Sequence, residues 1–392
     1  MKYLKSTKKT LLTVVCITYV LLTLLYALEY LNFPNFLIKT DVVSFLTGAK
    51  IIKEGKTDLL YDLATQSQYQ NEIVAPFVKI LLPFRNFPIT AFFYILLLDM
   101  GLLHAYSTIF LFGLIFLVAF HFIFTHFFPD LKKYKLLILL PLFFYPSVSN
   151  LIIGQYTPLI LLIFLSIYLA LVKDKSFWSG FATSFLSIKP QYLLFAPFSL
   201  ALSINRKKYV FGFFSGLILF FLLNLAVTKN LIPFINYPGF LFSTENSTFG
   251  SRPYQMLTLF GIVKRFLPQL NSLHLIIGNM AFYCLTVVLI LKKYRKENDT
   301  NKLFILGIFA ALLFSVHALS HDLMILLLPI YIYLTSSKNN ATAFITLIGI
   351  VTGMLFFFQS NLLIVIEMIV FVILILNDKH SYAPEHHKRN LD

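Results

Sequence analysis

Residues 209–227 read YVFGFFSGLILFFLLNLAV, nineteen positions without a charged side chain. As a helix rising about 1.5 Å per residue, the stretch is roughly 28 Å long. That is close to the ~30 Å hydrocarbon core of a bilayer. Arg206, Lys207 and Lys208 stand just before it. Comparable runs recur along the chain and set its composition, 58% hydrophobic, 17% aromatic and only 12% charged. A soluble globular domain averages roughly 45–50% apolar and about 25% charged. The chain therefore reads as an integral membrane protein throughout, with no room for a soluble domain of typical size.

Apolar length and its interruptions predict about twelve spans. They fall at 11–31, within 88–127, and near 135–152, 156–172, 176–190, 191–204, 209–227, 273–292, 303–316, 322–336, 341–358 and 361–376. The stretch 88–127 is longer than one crossing needs, so part of it is expected along the surface. Pro190 and Pro197 mark candidate broken helices, because proline removes a helix donor and clashes with the preceding turn. The expected fold class is an all-α polytopic membrane protein. One transmembrane domain covers 1–376, with long outer-face loops at 32–87 and 228–272, and a cytoplasmic tail covers 377–392.

The formal net charge is +15, and its placement argues against nucleic acid as a partner. Loops assigned to the cytoplasm hold 21 of the 32 Lys and Arg, from Lys2, Lys5, Lys8 and Lys9 to Lys388 and Arg389. That is the positive-inside pattern, and it places both termini in the cytoplasm and both long loops outside. The basic start resembles a signal peptide, but its apolar run lacks a small-residue cleavage site and reads as an uncleaved first helix. Cys16 and Cys284 fall inside spans and read as small buried apolar residues. No internal repeat is visible, which counts against inverted-repeat transporters. His380, His386 and His387 in the tail read as solvated.

The candidate chemistry gathers on the outer side. In Thr40-Asp41-Val42-Val43-Ser44-Phe45-Leu46-Thr47-Gly48-Ala49, apolar residues at helical spacing predict an interfacial amphipathic helix ending near Gly55. Asp41 stands at its start, as either a helix cap or a general base facing the headgroups. Asp58 or Asp62 is expected to cap a second helix. His317 and His321 are four apart, on one face if that segment is helical. With Asp322 they suggest a metal site, but no further ligand at suitable spacing accompanies them. Lys189 either snorkels to the surface or holds a phosphate, and Arg252 has the same two readings. Gln155 either bonds a sugar hydroxyl or marks a turn. Asp99 and Glu367 lie within apolar spans and are flagged for that reason. The chain has no Asp-x-Asp, no phosphate-cradling glycine loop and no His-Glu-x-x-His. Soluble nucleotide donors, ATP-driven chemistry and zinc proteolysis lose weight accordingly.

Asp41 with Gly48-Ala49, Leu60-Tyr61-Asp62, the run from Pro76 to Pro83, Gly154-Gln155, Lys189-Pro190 and Ser315 to His321 occur in an order and spacing that resembles glycosyltransferase family 87 of the GT-C superfamily. Some positions depart from that pattern. A proline usual after the Ser matched by Ser315 is missing, Leu319 stands where an aromatic is common, and a Tyr-Pro-Pro is reduced to Ala75-Pro76-Phe77. The resemblance implies a membrane enzyme moving a sugar, mannose first, from a polyprenyl-phosphate sugar to a glycolipid or polysaccharide acceptor. It implies an inverting displacement at the outer face of the plasma membrane, without metal or cofactor. It further implies Asp41 as the base, His321 as the active-site histidine, and Lys189 and Arg252 facing the donor phosphate. Gln155, His317 and Asp62 are then expected on the substrates. The rival reading is a transporter or flippase for lipid-linked saccharides, and a weaker one is a non-catalytic assembly subunit.

Overall fold

A computed structural model describes Leu21, Leu24, Leu25, Ala27 and Leu28 together with residues 35–77, 81–245, 253–294 and 299–336. Most of the span expected at 11–31, both spans after residue 340, the tail, Cys16, Arg252 and Glu367 lie outside the described residues. Their regular elements are all helices, with no strand among the described residues.

The helices run in the order α1 (Asp41–Lys53), α2 (Leu63–Val74), α3 (Pro88–Phe92), α4 (Leu102–Phe127), α5 (Leu139–Phe143), α6 (Tyr145–Ile153), α7 (Thr157–Val172) and α8 (Ser176–Ser184). They continue with α9 (Ala196–Leu202), α10 (Arg206–Thr228), α11 (Ile232–Glu245), α12 (Leu259–Phe266), α13 (Ser272–Tyr294), α14 (Thr300–Leu313) and α15 (Leu327–Ser336). Three of them, α4, α10 and α13, are long and apolar enough to cross a membrane. α13 buries only Asn279, Tyr283, Val287 and Tyr294, a stripe at helical spacing. Its other faces, and those of α10, carry exposed Phe211, Phe214, Ile218, Leu222, Leu285 and Val288. Cys284 is exposed on α13 as well, and not buried as the sequence suggested, because it sits one position past Tyr283 on that stripe.

Several expected spans are broken. The 88–127 stretch divides at Gly101, whose φ of 76° stops one helix and lets α4 begin. Asp99 therefore lies in the exposed turn Ile95–Met100, paired with Lys53 at 2.9 Å, and not inside a span. The expected spans at 135–152, 176–190 and 191–204 are each cut into short helices, the last two on either side of Lys189-Pro190. A residue before proline is driven toward the extended region, and Lys189 has φ −128° and ψ 90°.

α8 and α10 pack almost backbone to backbone. A Cβ on Gly180 would stand 2.0 Å from the Tyr209 carbonyl oxygen, and one on Gly212 would stand 2.1 Å from that of Phe177. Gly212 and Gly216 are four apart, the small-residue spacing that lets membrane helices approach closely.

The expected apolar face of α1 is buried, but so are Val43, Ser44, Thr47, Gly48 and Ile51. The helix is enclosed by α2, α3 and the turn Ile95–Met100, instead of lying with one polar side out. Beside it, residues 82–84 run extended and pair with two glutamines. Leu82 N–H donates to Gln70 Oε1 at 2.8 Å and Phe84 N–H to Gln66 Oε1 at 2.7 Å. Gln70 Nε2 donates back to the Leu82 carbonyl at 2.9 Å. The four-residue step from Gln66 to Gln70 on α2 rises about 6 Å and nearly matches two residues of extended chain, about 6.6 Å. Two amide side chains can thus satisfy a buried strand-like segment that has no sheet to join. Asp62 accepts Thr65 N–H at 2.7 Å as the cap of α2.

Gly180→Val is expected to cost about 3 kcal/mol or more, since overpacking alone costs about 1–3 kcal/mol and here the obstacle is backbone. Gly239 on α11 faces open space, with no atom within 4 Å of where a Cβ would stand. Gly239→Ala should therefore gain about 0.5–1 kcal/mol by helix propensity. Thermal unfolding in detergent checks both. Similar midpoints for the two variants would contradict the packing described.

Candidate active site

The site is organised by a four-residue junction between α6 and α7. α6 ends at Gly154, whose φ of 77° is left-handed, and its N–H bonds back to the carbonyl of Asn150 at 3.0 Å. Gln155 N–H joins the same carbonyl at 3.1 Å. α7 begins at Thr157 with Pro158 in its first turn, where a missing N–H costs nothing. Gln155, Tyr156 and Thr157 each point a polar group at a different part of the fold.

Gln155 Nε2 donates to Asp41 Oδ2. Asp41 is the first residue of α1, and Thr40 precedes it as the N-cap without a side-chain cap bond. Its carboxylate therefore does not cap its own helix, although a negative charge is favoured at that end. Its partner is instead 114 residues away in sequence, and no lysine or arginine pairs with it among the described residues. Tyr156 Oη donates to Asn86 Oδ1 at 2.6 Å, and Tyr61 Oη bonds the Asn86 carbonyl at 2.7 Å. Tyr237 Oη bonds the carbonyl of Arg85 at 3.2 Å. The ring of Tyr156 also meets Phe45, one turn along α1 from Asp41, at 5.5 Å.

Thr157 leads to the third part. Lys189 Nζ bonds Thr157 Oγ1 at 3.2 Å and Asp322 Oδ1 at 2.9 Å, and stands 5.2 Å over the Tyr156 ring. The two charged side chains are only 7% and 1% exposed. Tyr192 Oη also donates to Asp322 Oδ1 at 2.9 Å, and Leu319 N–H to Oδ2 at 3.0 Å. His321 Nε2 lies 3.7 Å from the same Oδ2. Asp41, Lys189 and His317 all lie within electrostatic reach of His321 as well.

Asp41 and Gln155 are thus tied to Lys189 through the backbone of the junction and Thr157, and Lys189 to His321 through Asp322. The histidines do not share a helix face. His317 lies in an irregular turn, its N–H bonded to Ser315 Oγ at 3.0 Å, and the helical turn begins only at Ser320. Among the described residues, no three His, Cys, Asp or Glu side chains gather as metal ligands. Asp62 is exposed at the head of α2, where bonds from the Thr65 side chain and N–H hold its carboxyl below its ordinary value. The structure does not bring it to this cluster. Arg252 lies outside the described residues. A cavity of about 400 Å³, lined by Phe242, Asn271, Ser272, Leu273 and Ile276, shares no residue with the cluster.

Reading the sequence misses the central part of Asp322, which it offers only as a metal ligand, and misses Tyr156, Thr157, Tyr192 and Asn86. Thr157-Pro158 is a legible helix start, but nothing in the order of residues pairs Lys189 with an acid 133 positions away.

An all-helical protein with membrane-length helices and a buried polar centre fed by a helix-starting carboxylate is the class that fold and site define. Residues 77–316 match the model of glycosyltransferase family 87. With more than half of its length matched, the chain belongs to glycosyltransferase family 87. The match takes in Gln155, Lys189 and Arg252 and does not extend to Asp41, Asp62, His317 or His321. No curated protein and no solved structure matches the chain.

Breaking a buried pair by removing one partner leaves an uncompensated charge and costs about 3–5 kcal/mol. Asp322→Ala should lose that much, whereas Lys189→Met with Asp322→Leu should recover most of it. Unfolding midpoints of the three proteins decide. A double variant as unstable as the single one would mean that the pair is not what holds this centre.

Proposed function

We propose that the protein is an integral membrane glycosyltransferase that moves a sugar from a polyprenyl-phosphate sugar to a glycolipid or polysaccharide acceptor. The observation that carries this reading is Asp41. It is an acid at a helix start, without a cation partner among the described residues and with one oxygen held by Gln155. The second oxygen is then available to take a proton from an acceptor hydroxyl, as a general base must. Mannose is the donor sugar we favour. About twelve spans, an outer-face site in the plasma membrane and the exposed apolar faces of α10 and α13 fit one picture, in which lipid solvates the outside of the bundle.

The donor phosphate is assigned to Lys189, with Arg252 as its second cation. An ammonium has three N–H donors, and Asp322 and Thr157 take two of those on Lys189. The third remains for a phosphate oxygen. A lipid monophosphate leaving group develops charge that a fixed cation stabilises in a water-poor site. His321 lies at the same centre, next in sequence to the acid that holds Lys189. We assign His317 to the substrate side, keep Gln155 with Asp41, and leave Asp62 to its helix. Inverting displacement requires one base and in-line approach, so a second carboxylate nucleophile is unnecessary. The polyprenyl anchor would hold the sugar at headgroup depth and so supply proximity.

Asp41→Asn keeps the side chain's shape and removes the base. Transfer from a labelled polyprenyl-phosphate mannose in reconstituted vesicles should fall about 10²–10⁴-fold, with the variant still monodisperse. Undiminished transfer would remove Asp41 from the mechanism. Movement of a labelled lipid-linked saccharide across the vesicle, with no product from any donor, would make the protein a flippase instead.

A further inference from the structure

Two regions away from the proposed site, and one contact within it, hold ionisable or polar side chains in geometry that bears on function. One is the outer network of Lys50, Glu72, Glu54, Tyr69 and Lys56, whose members already satisfy one another at the surface. A second is the pair of His121 and Tyr331, 2.8 Å apart and anchored to the Leu137 carbonyl. The third is the contact between the α6–α7 junction and the start of α1, which has direct geometry toward the proposed chemistry.

We infer that Gln155 is a positioning residue for Asp41: its amide fixes which carboxylate oxygen faces the acceptor and which is held by the protein. The inference rests on the reading of Asp41 as the base. An ionised carboxylate can only accept, so the amide must turn its NH2 toward Asp41 Oδ2, and the bond is of the strong charge-assisted kind. Gln155 Oε1 is buried and finds no other protein group. The amide therefore has no competing partner among the described residues to turn it away.

The backbone on both sides of this bond is fixed. Gly154 and Gln155 both bond the Asn150 carbonyl, which ties Gln155 to the last turn of α6. Gly154 itself lies against α1. A Cβ there would stand 2.3 Å from Cγ2 of Val42, the residue after Asp41, and 3.9 Å from the Tyr106 ring on α4. Only a glycine admits both the left-handed turn and this approach. The contact sets the spacing between the two backbones, and the Gln155 side chain closes it onto the acid. Other titratable groups also surround Asp41. Tyr94, Tyr156 and His321 all feel its charge, and Tyr106 packs against Gly154.

A positioning amide differs from a substrate-binding one in what its loss does. Removing orientation lowers kcat and leaves donor binding alone, since misplacement by about 1 Å can cost up to 10²-fold. Replacing the amide by a second acid makes two carboxylates share one proton, which they hold to higher pH.

The test uses the full chain in vesicles, with a labelled short-chain polyprenyl-phosphate mannose as donor and an octyl mannoside as acceptor probe. Gln155→Leu is expected to lower kcat about 10–100-fold while the donor KM moves less than about threefold. Gln155→Glu, nearly the same shape, should shift the acidic limb of the kcat/KM profile upward by about one pH unit or more. A Gln155→Glu profile that coincides with wild type would overturn the inference, as would a Gln155→Leu protein that loses donor affinity at unchanged kcat. If Asp41→Asn retained full transfer, the base reading itself would fail, and that result is separate from either of these.

Discussion

Everything polar at the centre of this protein depends on one buried ion pair, Lys189 with Asp322. An ammonium in an apolar bundle is tolerable only if something offsets its desolvation, and a carboxylate at 2.9 Å with two further donors on it does so. The pair joins the broken helix around Pro190 to the turn that carries His317 and His321. It also spares that turn from needing a regular helix. Leu319 and Asp322 exchange backbone and side-chain bonds, so the chain can enter Ser320–Leu326 from an irregular segment without exposed ends.

A second constraint sits beside the first. The junction 154–157 sends Gln155 to Asp41, Tyr156 to Asn86 and Thr157 to Lys189 within four residues. The acid at the start of α1 and the cation in the broken helix are thereby held in a fixed relation by one short segment. Short helices, which would be marginal alone, are useful here because the breaks at 154–157, at Lys189 and before Ser320 place backbone turns at the polar centre. The long helices α4, α10 and α13 supply the frame, and the interrupted ones supply the site.

How far the sequence could be read divides along physical lines. Long uncharged runs such as 209–227 announced helices directly, because bilayer thickness fixes their length. Pro190 announced a break, because a missing N–H and the strain on its neighbour act locally. Asp41 at a helix start was legible from spacing alone, and the cap of the next helix was narrowed to Asp58 or Asp62, of which Asp62 takes the role. The enclosure of α1 was not, because Val43, Ser44 and Thr47 are buried by neighbours far away in sequence, and amphipathic spacing reports only the apolar face. The same holds for Gln66 and Gln70, which look like surface polar residues and instead hold an extended segment. Lys189 looked like a lone cation because its partner lies 133 positions on. Long-range pairs are set by topology, and composition and periodicity carry no record of them.

The most direct measurement is an experimental structure in lipid with a non-hydrolysable polyprenyl-phosphonate mannose bound. The account predicts a phosphonate oxygen within hydrogen-bond reach of Lys189 Nζ, about 3 Å, with Asp322 still bonded to the same ammonium. It also predicts the anomeric carbon opening toward the Asp41 oxygen that Gln155 leaves free. A phosphonate held elsewhere, with Asp41 and Lys189 on no common ligand, would contradict it.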